Sequence, residues 1–319
     1  NNNNNNDDEK KEGEGEGDTN HCDWPKISLE WEDGHDDKKE AKKETFDAVC
    51  ICNGHYAAPS IPHIPGLKEY YTGKIMHSVE YDDPTIFKGQ TVLCVGGRAS
   101  GADLAREISF HATKVYLSDT TCHDSETLDN VTWVPKTMSV QSDSSIEFGT
   151  TSRTDTETET EIKTDISSSP KEVDVIIFCS GYDYQFPFIN EDSNLDLSVV
   201  KGERRVKPLY EQLWHARYPS VSFVGLQHSV VPFPFFEVQA EAITSQIVKQ
   251  QQAQSSSSSS SWSLPPLEER LEAAEKDANS GGPNESRVQD THFLGGYQWD
   301  AAIKYAELAG VCNDELVRY

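Results

Sequence analysis

A short apolar run that leads into a glycine-rich turn and then into a helix constrains this chain most strongly. Thr91–Val95 is apolar and of strand length, and residues 102–108 carry the apolar spacing of a helix. Between them lies a loop of six residues that we assign to a cofactor site: Gly96, Gly97, Arg98, Ala99, Ser100 and Gly101. Such a turn places backbone N–H groups and the positive end of a helix where a pyrophosphate can bind. Residues 114–118 form a second apolar run, so the sequence predicts a β-α-β unit that binds a dinucleotide.

Individual positions of this loop indicate distinct roles. Gly96 permits a tight turn, Gly101 permits close packing of helix on strand, and the Ser100 hydroxyl can donate to a phosphate. The third motif position, where the dinucleotide fingerprint has glycine, is Arg98. Ser118 ends the second strand, and we expect it to face the cofactor. The alternative for the whole segment is an ordinary strand-to-helix turn.

Two charged residues give opposite indications about the nicotinamide cofactor. Asp119 lies at the distance beyond the loop at which an acid accepts hydrogen bonds from a ribose 2′-hydroxyl, which favours NAD. Arg98 offers a positive charge that can pair with the pyrophosphate or with the 2′-phosphate of NADP. An arginine–phosphate contact at Arg98 contributes more to binding than the exposed carboxylate of Asp119 takes away by repelling the 2′-phosphate. We therefore expect NADP.

Two apolar strands end in the same four-residue pattern, which is a cysteine, a polar residue, a glycine and a residue with an aromatic ring. They are Cys52-Asn53-Gly54-His55 and Cys179-Ser180-Gly181-Tyr182. A chain that leaves a sheet at a glycine can pass close to a cofactor or cross between domains. We therefore predict a nucleotide-binding domain inserted between two crossings, with residues 46–54 and 173–181 paired in one sheet region. The alternative is two unrelated strands that both end in glycine.

The segment just upstream of the loop carries a family resemblance. Tyr71-x-Gly73-x3-His77-x3-Tyr81 resembles the F-x-G-x3-H-x3-[YF] motif that identifies flavin-containing monooxygenases, with tyrosine in place of the first phenylalanine. The resemblance points to the plant and algal S-oxygenating type and covers most of residues 46–319. It is carried by the segments 46–66, 173–188, 222–226, 233–240 and 291–299.

The resemblance implies an α/β fold with two dinucleotide-binding, Rossmann-like domains, in which an NADP domain is inserted into an incomplete FAD domain. It implies that Gly73, His77 and Tyr81 shape the cleft beside bound NADP. The alternatives are a loop-bracing role for His77 and core packing for Tyr81. On the flavin side, the resemblance assigns cofactor-binding positions to Asn53, Gly54, His55, Gly181, Tyr182 and Gln239.

The function that the resemblance implies is a monooxygenation of the N,N-dimethylaniline monooxygenase type. NADPH reduces FAD, the reduced flavin adds O2 to form a peroxyflavin, and this species oxygenates a soft sulfur or nitrogen nucleophile in a small-molecule substrate. The flavin carries the difficult chemistry, so no residue is assigned as catalytic.

Three alternatives stay open. The first is a Baeyer–Villiger monooxygenase, although the motif of that family ends in Trp where this chain has Tyr81. The second is a pyridine-nucleotide disulfide reductase, although that class needs a C-x2-C or C-x4-C pair that the sequence lacks. The third alternative is a nucleotide-binding fragment without catalysis.

One part of the family pattern has no counterpart here. A first β-α-β unit supplies the G-x-G-x-x-G loop for the FAD pyrophosphate in the family, whereas Glu12–Gly17 imitates the spacing without a strand, an apolar helix or a favourable charge. We therefore expect the chain to be the C-terminal two thirds of a monooxygenase, lacking the N-terminal FAD-binding portion. We also expect it to bind FAD poorly.

Composition identifies segments that cannot bury a core. Residues 1–26, 139–170 and 250–263 are poor in apolar residues, so we expect disordered inserts or linkers. The formal net charge of −26 argues against nucleic acid or an anionic membrane as a partner.

We divide the rest of the chain by the resemblance and by apolar pattern. Within it, Ile27–Trp31 alternates with a period of two, which predicts an edge strand that pairs with residues 46–52. The divisions are a partial FAD domain at 27–60, an NADP domain at 61–138, a return to the FAD domain at 171–249, and a C-terminal helical tail at 264–319.

Cysteine usage and hydropathy bear on location. Seven cysteines, an odd number, fit reduced thiols in the cytoplasm. Cys50 and Cys52 are expected to share one face of a strand, but two thiols alone make a poor zinc site, so we predict no metal. No apolar stretch has the length of a membrane span.

Overall fold

We describe the fold from a computed structural model of the chain. It describes residues 24–32, 41–120, 130–149, 152–154, 161–163, 172–190, 193, 195–199, 204–255, 264–280 and 291–311. Of the segments predicted as disordered inserts or linkers (1–26, 139–170 and 250–263), residues 1–23, 150–151, 155–160, 164–170 and 256–263 lie outside these ranges. The linker predicted at 250–263 is wrong for residues 250–255, which belong to the helix Pro232–Ser255. Among the described residues, no helix combines the length and the apolarity that crossing a bilayer requires.

The described elements alternate between short strands and a few helices. In chain order, the strands are β1 (Ile27–Glu32), β2 (Ala41–Phe46), β3 (Val49–Ile51), β4 (Ala58–Pro59), β5 (Lys74–His77), β6 (Thr91–Val95), β7 (Lys114–Ser118), β8 (Val131–Val134), β9 (Thr137–Val140), β10 (Ile146–Phe148), β11 (Ser152–Thr154), β12 (Glu161–Lys163), β13 (Val175–Phe178), β14 (Tyr182–Asp183), β15 (Ser198–Val199), β16 (Val206–Lys207), β17 (Leu209–Tyr210), β18 (Trp214–His215) and β19 (Val221–Phe223). The α-helices are α1 (Leu67–Tyr70), α2 (Ala99–Ser109), α3 (Pro232–Ser255), α4 (Leu267–Ser280) and α5 (Gln298–Ala309). Short 3₁₀ turns lie at Ser78–Glu80, Pro84–Phe87 and Gly295–Tyr297.

The described residues form two compact units. Unit 1 comprises those within 24–54, 188–199 and 204–311, and unit 2 those within 55–187. The chain passes from unit 1 to unit 2 directly after Gly54, where the first glycine exit was predicted. It returns after Pro187, a few residues beyond the second predicted exit at Gly181.

A parallel five-stranded sheet in the order β5-β13-β6-β7-β8 forms the centre of unit 2. The pairing of β6 with β7, linked by α2, confirms the predicted β-α-β unit. Every residue of β13 is buried, as expected for an inner strand of a sheet that is covered on both faces. One face packs against Ala105 and Ile108 of α2, and the other against Ile64 and Leu67.

A hairpin of β9 and β10 completes the second face of this sheet. Val140 and Ile146 are buried among its core residues, and the Val140 N–H donates to the Pro65 carbonyl oxygen at 2.9 Å. The disorder predicted for residues 139–170 is therefore wrong for residues 139–149. Two apolar side chains within a polar run suffice, because burying each contributes about 1.5–3 kcal/mol.

Unit 1 contains a mixed four-stranded sheet in the order β17-β18-β19-β3, in which β3 and β19 are parallel and the other pairs antiparallel. The helices α3 and α5 pack against each other beside a core that includes Trp214, Phe235 and Tyr305. This core is built from residues far apart in the sequence.

Two strand-pairing predictions are corrected. Residues 46–54 and 173–181 do not share a sheet, because β3 pairs with β19 in unit 1, whereas β13 lies between β5 and β6 in unit 2. The fully apolar β13 suits the inside of a parallel sheet. The strand predicted at Ile27–Trp31 is present as β1, but it pairs with β2, so it meets the predicted partner range 46–52 only at Phe46.

Candidate functional site

The glycine loop after β6 is closely packed. Gly96 has a φ of +111°, and its N–H donates to the Ser118 carbonyl oxygen at 2.8 Å. A Cβ on Gly101 would lie 1.7 Å from the Gly96 carbonyl oxygen, so helix α2 can approach the turn only with glycine there. Both glycine roles predicted from the sequence are confirmed by these contacts.

The N-terminus of α2 opens toward this loop. Arg98 occupies the N-cap position without a side-chain hydrogen bond to the helix end, and the first turn contains no acidic residue. Ala99 and Ser100 are exposed there. The first N–H groups of a helix have no partner within it and carry a partial positive charge, so this end is suited to an anion.

Gly97 lies against the ends of the neighbouring strands. A Cβ on Gly97 would lie 2.8 Å from Oδ2 of Asp119 and 2.8 Å from the Trp133 ring. The carboxylate of Asp119 also accepts the Thr120 N–H at 2.6 Å. Asp119 therefore borders the loop, as predicted. Trp133 was missed, although its position in the strand that follows β7 along the chain could have indicated it.

Ser118, which was assigned to the cofactor site, takes part in structural hydrogen bonds through its hydroxyl. Its side chain is buried, and its hydroxyl donates to the Pro135 carbonyl oxygen at 2.9 Å. The same oxygen accepts from the N–H and the hydroxyl of Thr137 at 2.9 and 2.8 Å. Ser118 thus joins the end of β7 to the segment between β8 and β9.

Gly73 and Tyr71 begin the family-like motif with a close contact. A Cβ on Gly73 would lie 2.4 Å from the Tyr71 hydroxyl and 2.5 Å from the Asp174 carbonyl oxygen. Gly73 is therefore required for packing beside β13. The Tyr71 hydroxyl is buried and has no hydrogen-bond partner among the described residues. Burial, and then the Asp174 carboxylate, raises the pKa of Tyr71.

His77 braces the second glycine exit. Its Nδ1 accepts the Val79 N–H at 3.2 Å, so the proton lies on Nε2, which donates to the Gly181 carbonyl oxygen at 3.0 Å. The same carbonyl accepts the Ser60 N–H at 3.0 Å. The ring is buried, which lowers its pKa, while the Gly181 bond and nearby Glu80 act in the opposite direction. The loop-bracing alternative therefore describes His77.

Tyr81 packs within unit 2. Its ring stacks on Phe87 with centroids 6.1 Å apart and joins the core beside α2. Burial, and then nearby Glu107, raises the pKa of Tyr81, so the phenol stays protonated. This contact pattern favours the core-packing alternative.

Residues that follow the two glycine exits meet in one aromatic group of unit 2. The His55 ring lies 4.1 Å from Tyr56 and 5.3 Å from Tyr184, measured between centroids. Tyr182 contacts Tyr56 at 5.3 Å and His77 at 5.0 Å, both edge to face. His55 and Tyr182 are thus brought together even though the strands that precede them lie in separate units.

The predicted residues of unit 1 have different surroundings. Asn53 and Gly54 are exposed after β3, and Gly54 has a φ of +71° with open space around it. Gln239 is fully buried. Its Oε1 accepts the Gly225 N–H at 3.1 Å, and its Nε2 donates to Oε1 of Gln227 at 2.7 Å. Gln239 therefore contributes to a structural network.

This buried polar network continues beyond Gln227 and was missed by the sequence analysis. His292 accepts the Val206 N–H on Nε2 at 3.0 Å and so donates from Nδ1 to Gln212 Oε1 at 3.0 Å. Gln212 in turn donates to the Asp277 carboxylate at 3.4 Å. Burial raises the pKa of Asp277 to about 6. Polar residues inside otherwise apolar segments were the available signal.

Comparison with known proteins bears on the origin of this arrangement. A sequence profile described as flavin-binding monooxygenase-like matches residues 19–132. The flavin-containing monooxygenase FMO GS-OX5 of Arabidopsis thaliana is 31% identical over 291 residues, which cover 88% of this chain and 55% of that protein. The related FMO GS-OX-like 4 of the same plant is 35% identical over 213 residues, 65% of this chain and 42% of that protein. This chain is a relative of the flavin-containing monooxygenases. The predicted resemblance is thereby confirmed.

Solved structures agree with this relationship. The S-allyl-L-cysteine S-oxygenase of Allium sativum superposes with a TM-score of 0.69 at 29% identity, over 90% of this chain and 58% of that protein. Tmm from a Pelagibacter strain superposes with a TM-score of 0.59 at 19% identity and shares the fold. The chain spans about half the length of the curated relatives it matches. The family relationship supports the predictions that the chain belongs to an enzyme family and that the cofactor of this family is a flavin.

Proposed function

We propose that unit 2 binds NADP(H) at the loop 96–101 and that the chain serves a flavin-dependent monooxygenation of a soft nucleophile. The observation that carries this proposal is the contact of Gly101 with Gly96, which brings the open N-terminus of α2 onto the end of β6. Backbone N–H groups and the helix dipole there match a pyrophosphate. FAD, NADPH and O2 are the co-reactants that the family implies.

The loop fits a dinucleotide by shape and by charge. Any side chain at Gly97 would meet Asp119 and Trp133, so only glycine leaves the backbone accessible at that point. Ser100 is exposed in the first turn of α2, where its hydroxyl can donate to a phosphate. No carboxylate lies in that turn to oppose a bound anion.

Arg98 and Asp119 set the choice between NADP and NAD. Asp119 borders Gly97, the position from which an acid accepts hydrogen bonds from a ribose 2′-hydroxyl. Arg98 is exposed at the N-cap of α2 and can pair with the 2′-phosphate. We propose NADP because a charge-assisted contact of Arg98 with the phosphate is stronger than the repulsion from the one half-buried carboxylate of Asp119.

The residues of the family-like motif position the site instead of reacting. His77 holds the Gly181 carbonyl, and Gly73 lets the motif pack beside β13. When bound, FAD supplies the redox and oxygen chemistry. Among the described residues of unit 1, no loop corresponds to the six-residue loop of unit 2, so we expect FAD to bind this chain weakly.

A thioether is the substrate class that the comparisons favour. The structurally similar protein from Allium sativum is an S-oxygenase by name, and the Arabidopsis relatives are flavin-containing monooxygenases. We propose sulfur oxygenation, with nitrogen oxygenation of a tertiary amine as the second activity of the same soft-nucleophile chemistry. A nucleotide-binding protein without catalysis is the competing function.

NADPH-dependent oxygen uptake tests this function. Purified chain would be supplied with excess FAD, NADPH and a simple thioether, and sulfoxide would be quantified alongside oxygen consumption. Sulfoxide formed in proportion to NADPH oxidised would support the monooxygenase. NADPH binding without oxygen uptake, even at saturating FAD, would support the non-catalytic alternative.

A further inference from the structure

Two cysteines of unit 1 lie side by side at the end of strand β3. Their sulfur atoms are 3.6 Å apart, and both side chains are exposed. Cys50 is inside the strand, and Cys52 follows its last residue. The alternation of side chains along a strand puts residues two apart on the same face, which explains the contact.

The backbone at this point can adjust. Ile51 forms the final ladder contact of β3, where its carbonyl oxygen accepts the Val224 N–H at 2.9 Å. Cys52 lies beyond that bond and is followed by Asn53 and by Gly54 with its φ of +71°. Residues two apart on a strand have Cα atoms about 6.6 Å apart, within the range of up to about 6.8 Å that disulfides span. The sulfur atoms need to approach by about 1.5 Å to bond.

We propose that Cys50 and Cys52 form a redox-active dithiol that a peroxide oxidises to an intramolecular disulfide. The Cys50 thiolate attacks one oxygen of hydrogen peroxide, which gives a sulfenic acid and hydroxide. The Cys52 sulfur then attacks the Cys50 sulfur and displaces hydroxide, which leaves as water with the Cys52 proton. Two thiols and one peroxide thus give one disulfide and two waters, and a small-molecule thiol reverses the reaction.

The protonation of Cys52 suits this order of events. Partial desolvation of its sulfur, and then the neighbouring Cys50, raises the pKa of Cys52 to about 11, so Cys52 stays protonated at neutral pH and acts as the resolving thiol. The site directly precedes Asn53 and Gly54, the exit from unit 1. Oxidation therefore alters the backbone immediately before the chain enters unit 2.

A second cysteine pair provides an internal control. Cys94 and Cys179 are both buried in the core of unit 2, so we expect peroxide to react with them more slowly than with the exposed pair. Exposure and sulfur contact occur together at Cys50 and Cys52. The proposal does not depend on the monooxygenase function.

The test is mass spectrometry of the native full-length chain after brief treatment with hydrogen peroxide. Free thiols are alkylated before tryptic digestion, and the peptide of residues 44–68 contains Cys50 and Cys52 as its only cysteines. We expect that peptide to lose two hydrogen masses and to escape alkylation until a reductant is added. The peptides that carry Cys94 and Cys179 stay reduced.

Single serine variants complete the test. In Cys50→Ser and in Cys52→Ser the intrapeptide disulfide cannot form. In Cys52→Ser the remaining Cys50 thiol reacts with dimedone as a sulfenic acid or overoxidises, whereas in Cys50→Ser we expect Cys52 to stay largely reduced. The proposal is overturned if both thiols of the wild-type peptide stay alkylatable after peroxide. It is equally overturned if each oxidises to a sulfinic acid without a disulfide.

Discussion

Replacement of His77 by alanine tests whether this residue braces the fold. The substitution removes the acceptor for the Val79 N–H and the donor to the Gly181 carbonyl, both at a ring that is 1% exposed. Each lost bond costs about 1 kcal/mol, and a buried group left without a partner costs about 1–3 kcal/mol. With the cavity left by the ring, we expect unit 2 to lose roughly 2–4 kcal/mol.

Hydrogen exchange measures this loss where it occurs. Opening free energies are compared for peptides that cover residues 74–81 and 175–182 in wild type, His77→Ala and His77→Gln. The glutamine amide can still donate to Gly181, so we expect partial rescue. His63→Ala, at an exposed histidine of the same unit, is the control. Equal exchange in wild type and His77→Ala would refute the bracing role.

The sign of the pH effect follows from the same geometry. Protonation of His77 would place an N–H against the Val79 N–H, and burial lowers its folded pKa below the ordinary value near 6.5. The unfolded chain therefore binds the proton more readily. The stability contributed by neutral His77 is present above about pH 6.5 and is lost as the pH falls below it. His77→Gln should flatten this loss.

Four further substitutions have definite expected outcomes. Tyr71→Phe removes a buried hydroxyl that has no hydrogen-bond partner among the described residues. We therefore expect the free energy of unfolding in urea to be unchanged or higher by up to about 1 kcal/mol, and a decrease of more than about 1 kcal/mol would contradict this. Asp277→Asn removes a carboxyl whose folded pKa is raised to about 6, so the folding stability of the wild type should fall by roughly 2–3 kcal/mol between pH 4 and pH 8, and that of the variant much less. Parallel stability profiles from thermal unfolding at these pH values would count against it. Arg98→Ala should weaken NADP binding more than NAD binding, and Asp119→Ser should weaken NAD binding; calorimetric titration measures both. If Arg98→Ala leaves the NADP affinity unchanged and Asp119→Ser raises it sharply, the site prefers NAD.

The β-α-β unit was predictable because its signal is local. Strand, loop and helix lie within one short segment, and Gly101 is required by its contact with Gly96 inside that segment. The contacts of Gly96 with Cys179 and of Gly97 with Trp133 come from outside the segment. The resemblance likewise singled out Gly73, His77 and Tyr81 as positions beside the cofactor, and the structure shows that each has close packing or hydrogen-bond contacts within unit 2. It could not distinguish a brace from a ligand, because both need the same residue types at the same spacing.

The pairing of strands far apart in the sequence was harder to predict from the sequence. The apolar strands β3 and β13 end in the same pattern, yet their partners are set by the faces that their neighbours cover. The hairpin at residues 137–148 depends on Val140 and Ile146, two apolar residues within a polar run. Gln239 and Ser118 were assigned to the cofactor, and only the structure shows that their polar atoms satisfy buried partners.

Titration of NADPH into the full chain and its Ser100→Asp variant tests the central claim most directly. An acidic residue in the first turn of α2 complements the helix dipole and contributes about 0.3–1 kcal/mol, so the variant keeps its fold. The same charge repels a pyrophosphate at the loop. We predict at least a tenfold loss of NADPH affinity with unchanged or higher thermal stability, and Gly149→Ala, in the same unit and with room for a Cβ, binds as wild type. Unchanged affinity in Ser100→Asp would contradict the assignment of a dinucleotide site to residues 96–101.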